Sequence, residues 1–305
     1  MASPVDPLED CYPALYQAAD AASLAAQRRF LLAFRIRLGG LLVATLGGGL
    51  ILSLGEHDVG AWTAIVAFLS ALGSELYTSI VRPERDWYEG RAAAESAKTL
   101  TWRYAVRGES YADLNDEDID SRFSSEIREL LDDLVDLNFS QVETGGEQVT
   151  TGMRRVRATS FEERRSAYRE GRIEIQREWY EQKALDNGRI ANRWTIGVIV
   201  LELLGVVGGI LTLTLDLEVD VLGLLAAGAA TATGWLQAKQ FKSLATAYWI
   251  TAQELAAVKS DLDALSDDER WPYFVGQAEE AISREHTLWR ASRGVWGKPA
   301  RRAGS

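Results

Sequence analysis

Residues 194–238 read WTIGVIVLELLGVVGGILTLTLDLEVDVLGLLAAGAATATGWLQA, and this stretch decides the fold. It contains two apolar runs, 194–215 and 221–238, which are joined by the acidic link 216–220 without a single Lys or Arg. A transmembrane helix needs about 20 predominantly apolar residues, and each run is close to that length. The stretch therefore predicts a transmembrane helical hairpin.

A second pair of apolar runs lies earlier in the chain, at about 38–54 and 59–81, joined by the link Gly55–Glu56–His57–Asp58. The segments outside the four runs are rich in charged residues, and their apolar residues recur at the spacing of a helix. None of them shows the long apolar–polar alternation that is typical of a β-strand. Examples are 15–37, 84–106, 113–137 and 161–193. We therefore predict an all-α integral membrane protein with two transmembrane hairpins, four spans in all, and long cytosolic helices.

The alternative is a soluble helical bundle that buries two apolar hairpins. The charge pattern argues against it, because basic residues border the outer ends of the spans and both links lack them. These residues are Arg28, Arg29, Arg35 and Arg37, then Arg82, Arg85 and Arg91, then Lys183, Arg189 and Arg193, and finally Lys239 and Lys242. Basic residues favour the cytoplasmic side of a bacterial inner membrane. The pattern predicts a multi-pass inner-membrane protein with cytoplasmic N- and C-termini.

The two hairpins suggest two modules. The Gly- and Thr-containing segment 141–153 is the best candidate for a linker between them. We expect a first module at 1–140, a second module at 154–292, and a disordered tail at 293–305 that is rich in small and basic residues.

Polar and small residues inside the spans are candidates for function and for packing. Glu202 lies well inside the third span, and Ser74 and Glu75 lie near the end of the second. Intramembrane acids usually face a bundle interior or a water-filled path. For Glu202, a pore or polar-cluster role and a neutral, hydrogen-bonded structural role both stay open. For Glu75, a structural or snorkelling role is favoured.

The small residues Gly205 and Gly209 form a GxxxG pair in the third span. Ala226, Ala230 and Gly234 recur every four residues in the fourth. Such faces let helix backbones approach closely in lipid, so we expect these five residues to pack helices together.

Composition excludes several classes of function. The net charge of −11 disfavours nucleic acid as a partner, because binding phosphates needs a basic face. With two His and one Cys, the chain is poor in ligands for zinc and in partners for nucleophilic catalysis. We expect no enzymatic activity, no metal site and no cofactor.

Aromatic and basic residues alternate on the predicted cytosolic helices. Packing between these helices is the main interpretation, and binding of a ligand or partner is the alternative. The candidates are Arg85, Trp87, Tyr88, Arg91, Trp102, Arg177, Trp179, Tyr180 and Lys183.

Two of these segments resemble a known family. The run 82–91 (RPERDWYEGR) follows a hairpin, continues through Glu95, Ser96, Lys98 and Thr99 to 102–104 (WRY), and resembles a SLATT-type domain. A second set is similar to another SLATT subtype and precedes the second hairpin and 244–248 (LATAY). Its members are Tyr168, Arg172, Glu174, Gln176, Trp179, Tyr180, Lys183 and Asn187.

The resemblance implies tandem bacterial two-span effector modules that form membrane pores in nucleotide-signalled anti-phage or other conflict systems. On this basis we expect a homo-oligomeric pore-forming or membrane-perturbing effector. Its expected partners are the lipid bilayer, other copies of itself, and either a signalling nucleotide or a partner protein. The alternative is a membrane-anchored scaffold that binds a partner protein through its cytosolic helices.

Overall fold

The structure is a computed structural model without bound ligands. It describes residues 6–8, 11–49, 53–54, 57–112, 116–132, 146–215, 219–265 and 268–292. The predicted tail 293–305 and the first part of the predicted linker, 141–145, lie outside these residues.

The described chain is almost entirely helical, which confirms the predicted fold class. The helices are α1 (Ala14–Gly49), α2 (Val59–Val81), α3 (Pro83–Ala105), α4 (Asp116–Asp132), α5 (Thr151–Arg157), α6 (Phe161–Tyr168), α7 (Ile175–Leu215), α8 (Val221–Lys239), α9 (Phe241–Ala264) and α10 (Trp271–Ser292). A π-helical turn, Arg169–Glu174, joins α6 to α7. Four of these helical stretches are long and apolar enough to cross a membrane, as predicted.

The chain divides into two compact units. We call the described parts of Gln27–Pro83 and Lys183–Thr246 the span unit, because they contain the four apolar segments. The described parts of Met1–Ala26, Glu84–Gln182 and Ala247–Ser305 form the core unit. Each unit thus combines residues from the first and the second half of the chain.

In both hairpins an aspartate caps the N-terminus of the second helix. Asp58 and Asp220 are the N-cap residues of α2 and α8, and their side chains accept hydrogen bonds from Ala61 N at 2.9 Å and Gly223 N at 2.8 Å. An acid at this position satisfies a free backbone N–H group and complements the positive end of the helix dipole. This explains part of the acidity of the two links.

A left-handed residue ends the second helix of each hairpin. Arg82 has φ 50° and Gln240 has φ 49°, and each is followed directly by the next helix. In the first hairpin Pro83 is the first residue of α3, a position where the missing N–H group costs nothing. A new helix therefore starts at Pro83 directly after the left-handed Arg82.

Small residues hold the first hairpin together at intervals of seven. A Cβ atom on Gly40 would lie 2.7 Å from Ala67 O, and one on Gly47 would lie 2.8 Å from Gly60 O. Ala33, seven residues before Gly40, is buried as well. A seven-residue repeat keeps one helix face against its neighbour, so glycine here permits close approach of α1 and α2.

The core unit is built around aromatic side chains. Trp102, Tyr168 and Trp271 are fully buried, and Tyr168 makes edge-to-face contacts with both tryptophans at centroid distances of 5.8 Å. The Trp102 Nε1 donates a hydrogen bond to the Tyr12 hydroxyl at 3.0 Å, and the Trp271 Nε1 donates to Val106 O at 2.6 Å. Large aromatic groups whose polar atoms are satisfied can fill a core without a desolvation penalty.

The structure differs from the sequence expectations in two places. The first span was predicted to stay helical to Leu54, but α1 ends at Gly49 within the described residues, and Ser53–Leu54 pairs antiparallel with His57–Asp58 as the short strands β1 and β2. Gly47, Gly48 and Gly49 weaken the helix at this end. The predicted helix 161–193 is interrupted by the π-helical turn around Gly171.

Candidate functional site

Glu202 lies on the surface of the span unit, on α7 of the second hairpin. It is eight residues past Trp194, which corresponds to roughly 12 Å along the helix axis and so to a position inside the apolar span. Among the described residues, its carboxylate has no hydrogen-bond or ion-pair partner. A carboxylate at this depth needs water or a polar partner from another molecule.

The face of α7 around Glu202 is otherwise apolar and exposed. Ile199, Val206 and Leu213 are separated from Glu202 by three, four and eleven residues, so they flank it on one side of the helix. Their exposed fractions are 48%, 59% and 86%. The side of α7 that faces α8 is adjacent, because Gly205 is three residues past Glu202 and is buried against α8, as is Gly208. Glu202 is therefore an exposed residue at the border between the α7–α8 contact and the exposed apolar face of α7.

Ser74 and Glu75 have partners inside the first hairpin. The Ser74 hydroxyl donates a hydrogen bond of 2.5 Å to Ala33 O on α1, and Ser74 itself is buried. Glu75 forms an ion pair of 2.5 Å with Arg37, also on α1, with both side chains about two-fifths exposed. The structure thus places these two candidates at the contact between α1 and α2.

The predicted packing residues fall into two groups. A Cβ atom on Gly205 would lie 3.6 Å from Leu225 Cβ, and one on Gly209 would lie 3.4 Å from Leu222 Cβ, so both glycines face α8. Gly234 on α8 faces Leu38 of α1 in the same way. Ala226 and Ala230, by contrast, are exposed on the surface of the span unit.

Sequence reasoning missed the tightest contact of the second hairpin. A Cβ atom on Gly208 would lie 2.5 Å from Val221 Cγ1, closer than atoms can approach. The sequence does contain Gly208 next to Gly209, but Gly208 is not part of the GxxxG pair that Gly205 and Gly209 form.

Five ligand candidates lie on α3 of the core unit, four of them in its first half. Arg85 forms an ion pair with Glu89 at 2.7 Å, and Arg91 forms one with Glu95 at 3.0 Å. Trp87 stacks on Tyr88 at a centroid distance of 4.8 Å, and Tyr88 is buried. These side chains are mainly engaged with one another and with their own helix.

The other candidates in the core unit are engaged in similar ways. Trp102 and Tyr180 are buried, and Trp179, 38% exposed, contacts Tyr180 and Tyr248 edge to face. Arg177 bridges Glu174 at 2.7 Å and Glu181 at 2.9 Å. The last candidate, Lys183, belongs to the span unit and is exposed.

The fold does bring Arg91 close to Tyr180, from the other half of the chain. Burial acts to lower the pKa of Arg91, but the charge of Glu95 and the neighbouring Tyr180 and Asp20 raise it overall. Arg91 is therefore a firmly charged group between tyrosines and carboxylates.

A buried ion pair that sequence reasoning did not single out lies at the centre of the core unit. Arg172 and Glu279 are 1% and 0% exposed, and two parallel hydrogen bonds of 2.9 Å and 2.7 Å join them. Tyr168 and Thr99 donate to the same carboxylate at 3.0 Å and 2.9 Å. A buried carboxylate with four such bonds is fully satisfied.

The π-helical turn places Arg172 in this network. Gly171 precedes it, and a Cβ atom there would overlap the Pro7 ring and lie 3.0 Å from the Trp102 ring. Single π-helical turns re-aim side chains and are frequent at functional sites. Arg172 was noted only as part of the family resemblance, and Glu279, 107 residues away, has no local motif that could identify it.

Burial and neighbouring charges shift the pKa values of three groups in and around this network, Arg172, Tyr168 and Lys98. Burial acts to lower the pKa of Arg172, but the charge and hydrogen bonds of Glu279 raise it above its ordinary value. Burial, the Glu279 charge and the hydrogen bond to it raise the pKa of Tyr168. Burial and the charge of Arg172 lower the pKa of Lys98, a half-buried neighbour. Arg172 is therefore charged over the physiological range, and we interpret its pair with Glu279 as a structural element.

No cluster of three or more His, Cys, Asp or Glu residues suited to a metal ion occurs among the described side chains.

Comparison with protein families finds two matches in tandem. Residues 13–165 match the family described as SMODS and SLOG-associating 2TM effector domain 3, and residues 168–289 match SMODS and SLOG-associating 2TM effector domain 1. The matches meet at Arg165–Tyr168, at α6, later in the chain than the predicted linker 141–153. No curated protein and no solved structure matches the chain.

Each match contains one apolar hairpin and the aromatic helix that borders it, as the resemblance implied. Together the matches cover nearly all described residues. The chain therefore belongs to the SMODS and SLOG-associating two-transmembrane effector domains, with subtypes 3 and 1 in tandem.

Proposed function

We propose that the protein is a homo-oligomeric inner-membrane effector whose span units assemble into a pore, with Glu202 facing the shared pathway. The family description as an effector domain supports an action on the membrane. The proposed action is passive permeation and needs no catalytic centre. By the family resemblance, its setting is an anti-phage or related conflict system.

The observation that carries the proposal is the exposed carboxyl of Glu202 inside an apolar face. A charged side chain at the centre of a spanning helix costs about 2.5–3.5 kcal/mol on insertion scales. Contact with lipid leaves that cost uncompensated. In an assembly, Glu202 side chains from several copies share a water-filled path or hydrogen-bond to one another.

The number of spans also favours an assembly. Four spanning helices, packed as two close hairpins, leave no room for a wide pathway within one copy. Closed rings of identical subunits are the usual route to a central channel. The basic borders of the spans support a cytoplasmic position for the core unit and both termini, where assembly and opening can be controlled.

Release of K⁺ from vesicles tests this function. The full-length protein is reconstituted into vesicles of bacterial lipids, and efflux is followed with an ion-selective electrode. We expect efflux that depends on protein density. Glu202→Gln should lower the preference for cations over anions several-fold, because the carboxylate no longer attracts cations.

Glu254→Gln is the matched control, because Glu254 is an exposed glutamate on α9 outside the predicted spans. It should leave efflux and selectivity unchanged. Vesicles that retain K⁺ with oligomeric protein present would contradict the pore and favour the membrane-anchored scaffold. A conductance whose selectivity ignores Glu202→Gln would remove this residue from the pathway.

A further inference from the structure

The span unit contains an open apolar cleft of about 570 Å³ between α1, α7 and α8. Its walls are mainly aliphatic and small, and its polar groups are few. The lining residues are Arg35, Leu38, Gly39 and Leu42 of α1, Trp194 and Leu201 of α7, and Gly228, Thr231, Ala232 and Trp235 of α8.

The cleft runs along the axes of α1, α7 and α8. On each of the three helices the lining residues extend over seven positions, which corresponds to about 10 Å of helix. Arg35, Trp194 and Trp235 lie at one end, at the basic border of the spans, and the other end is formed by Leu42, Leu201 and Gly228. The cleft therefore leads from the level of the membrane interface into the hydrocarbon layer.

Two cations gather at the interfacial end. The Arg35 guanidinium lies 5.4 Å from the centroid of the Trp235 ring, and the Lys239 ammonium lies 5.7 Å from the same centroid. Among the described residues neither cation forms an ion pair with a carboxylate, and the neighbouring charge that acts on Lys239 is that of Arg35. Contact with an aromatic face leaves their N–H donors available. Two like charges side by side attract an anion.

Small residues create the space below these cations. A Cβ atom on Gly39 would meet nothing within 4 Å, and one on Gly228 would meet only Leu201 Cδ1, at 3.9 Å. Ala232 and Thr231 continue the short-chain surface of α8, and the Thr231 hydroxyl is turned back to Ala227 O at 2.8 Å. The wall therefore offers dry, apolar contact and no free hydroxyl.

We propose that this cleft binds one anionic phospholipid, with its phosphate at Arg35 and Lys239 and an acyl chain along Leu38, Leu42 and Leu201. Basic pockets between transmembrane helices on the cytoplasmic side recognise anionic head groups in this way. The apolar length of the cleft distinguishes a lipid from a free phosphate, which would use the cationic end alone. The bound lipid joins the first hairpin to the second, since α1 and α8 both line the site.

Native mass spectrometry of the detergent-purified full-length protein tests the site, with dioleoyl phosphatidylglycerol and dioleoyl phosphatidylcholine as probes. We expect one phosphatidylglycerol retained per chain, with an affinity about thirtyfold above that for phosphatidylcholine. Arg35→Gln with Lys239→Gln should erase this preference. Arg193→Gln with Lys242→Gln removes two exposed border cations that do not line the cleft and should preserve it.

A second pair of variants tests the apolar part. Gly228→Leu fills the cleft and should weaken binding of both lipids at least tenfold, whereas Gly197→Leu places the same side chain in open space on α7 and should not. Gly39→Leu replaces Gly228→Leu if the latter lowers the unfolding temperature.

Three results would overturn the proposal. Equal affinity for the two lipids in the wild type removes the head-group site. Displacement of the bound molecule by excess inorganic phosphate assigns the cations to a free anion. Loss of binding that is equally large in Gly197→Leu shows that the cleft is not the site.

Discussion

Individual side chains show how this chain combines a polar interior with an apolar exterior. The Glu279 carboxylate is buried in the core unit and accepts four hydrogen bonds, two of them from Arg172, while Glu202 is exposed and has no described partner. The first arrangement stabilises one fold. The second is favourable only when another molecule or water reaches the carboxylate.

Removing one partner of the buried pair should be costly. Arg172→Met leaves the Glu279 carboxylate buried without its cation, and we expect a loss of about 3–5 kcal/mol in the free energy of unfolding. Arg154→Met breaks the exposed pair with Asp120, at 2.8 Å, and should cost no more than about 1 kcal/mol. Unfolding of the detergent-purified variants, followed by tryptophan fluorescence, measures both. Similar stabilities for the two variants would contradict the account.

Acid should weaken the core unit through Glu174. Hydrogen bonds from Arg177 and Lys259 lower the pKa of this carboxyl from 4.5 to about 2. Because the folded pKa lies below the unfolded value, the stabilisation is complete above about pH 4.5 and is lost as the pH falls toward 2. Unfolding temperatures measured over this range should fall less steeply in Glu174→Gln, which is already without the charge. Identical pH profiles would contradict the assignment.

The sequence predicted few of the contacts that these individual side chains make. Glu202 was identified because an acid in an apolar run stands out. Trp102 and Tyr180 stood among ligand candidates although both are buried, because an aromatic residue near a basic one looks the same in sequence whether it packs or binds. Glu279 lies far from Arg172 along the chain, so only the three-dimensional contact could identify it.

At the scale of elements, the apolar runs predicted the four spanning segments. The ends were less predictable, because three consecutive glycines stop α1 at Gly49 within the described residues. The sequence did not predict the π-helical turn, in which Gly171 lies against Pro7 and Trp102, both distant along the chain. Local sequence predicts that a segment is helical, whereas the exact end of a helix and a π-helical turn within it also depend on tertiary packing.

The seven-residue spacing in α1 gives a test with adjacent residues. Gly47→Leu forces a side chain against Gly60 O and Ala64 N on α2, whereas Gly48→Leu places it in open space. We expect Gly47→Leu to lose about 1–3 kcal/mol of stability through overpacking. Gly48→Leu should be neutral or slightly stabilising, because leucine favours a helix more than glycine does. The thermal unfolding temperatures compare the two, and the opposite order would contradict the hairpin packing.

At the scale of the whole molecule, the two units are each assembled from both family matches. A division into two modules along the sequence therefore does not correspond to the division into compact units. Only contacts between distant segments reveal that helices from both matches form one shared core.

The proposed topology can be tested with single cysteines in a Cys11→Ser background, since Cys11 is the one cysteine of the chain. Val219 is exposed within the second acidic link, and Glu254 is exposed on α9. In intact bacteria with a permeabilised outer membrane, a membrane-impermeant maleimide should label Val219→Cys. It should label Glu254→Cys only after the inner membrane is opened. The reverse pattern would contradict cytoplasmic termini.

The most direct test of the central claim is cysteine cross-linking at position 202 in native membranes. In the Cys11→Ser background, Glu202→Cys should form covalent dimers on mild oxidation, because side chains at a shared axis come within disulfide distance. Ile196→Cys, 53% exposed on another face of α7, should stay monomeric and serves as the control. Dimers at position 202 alone are the predicted result. Monomers at position 202, or equal cross-linking at both positions, would contradict an assembly around Glu202.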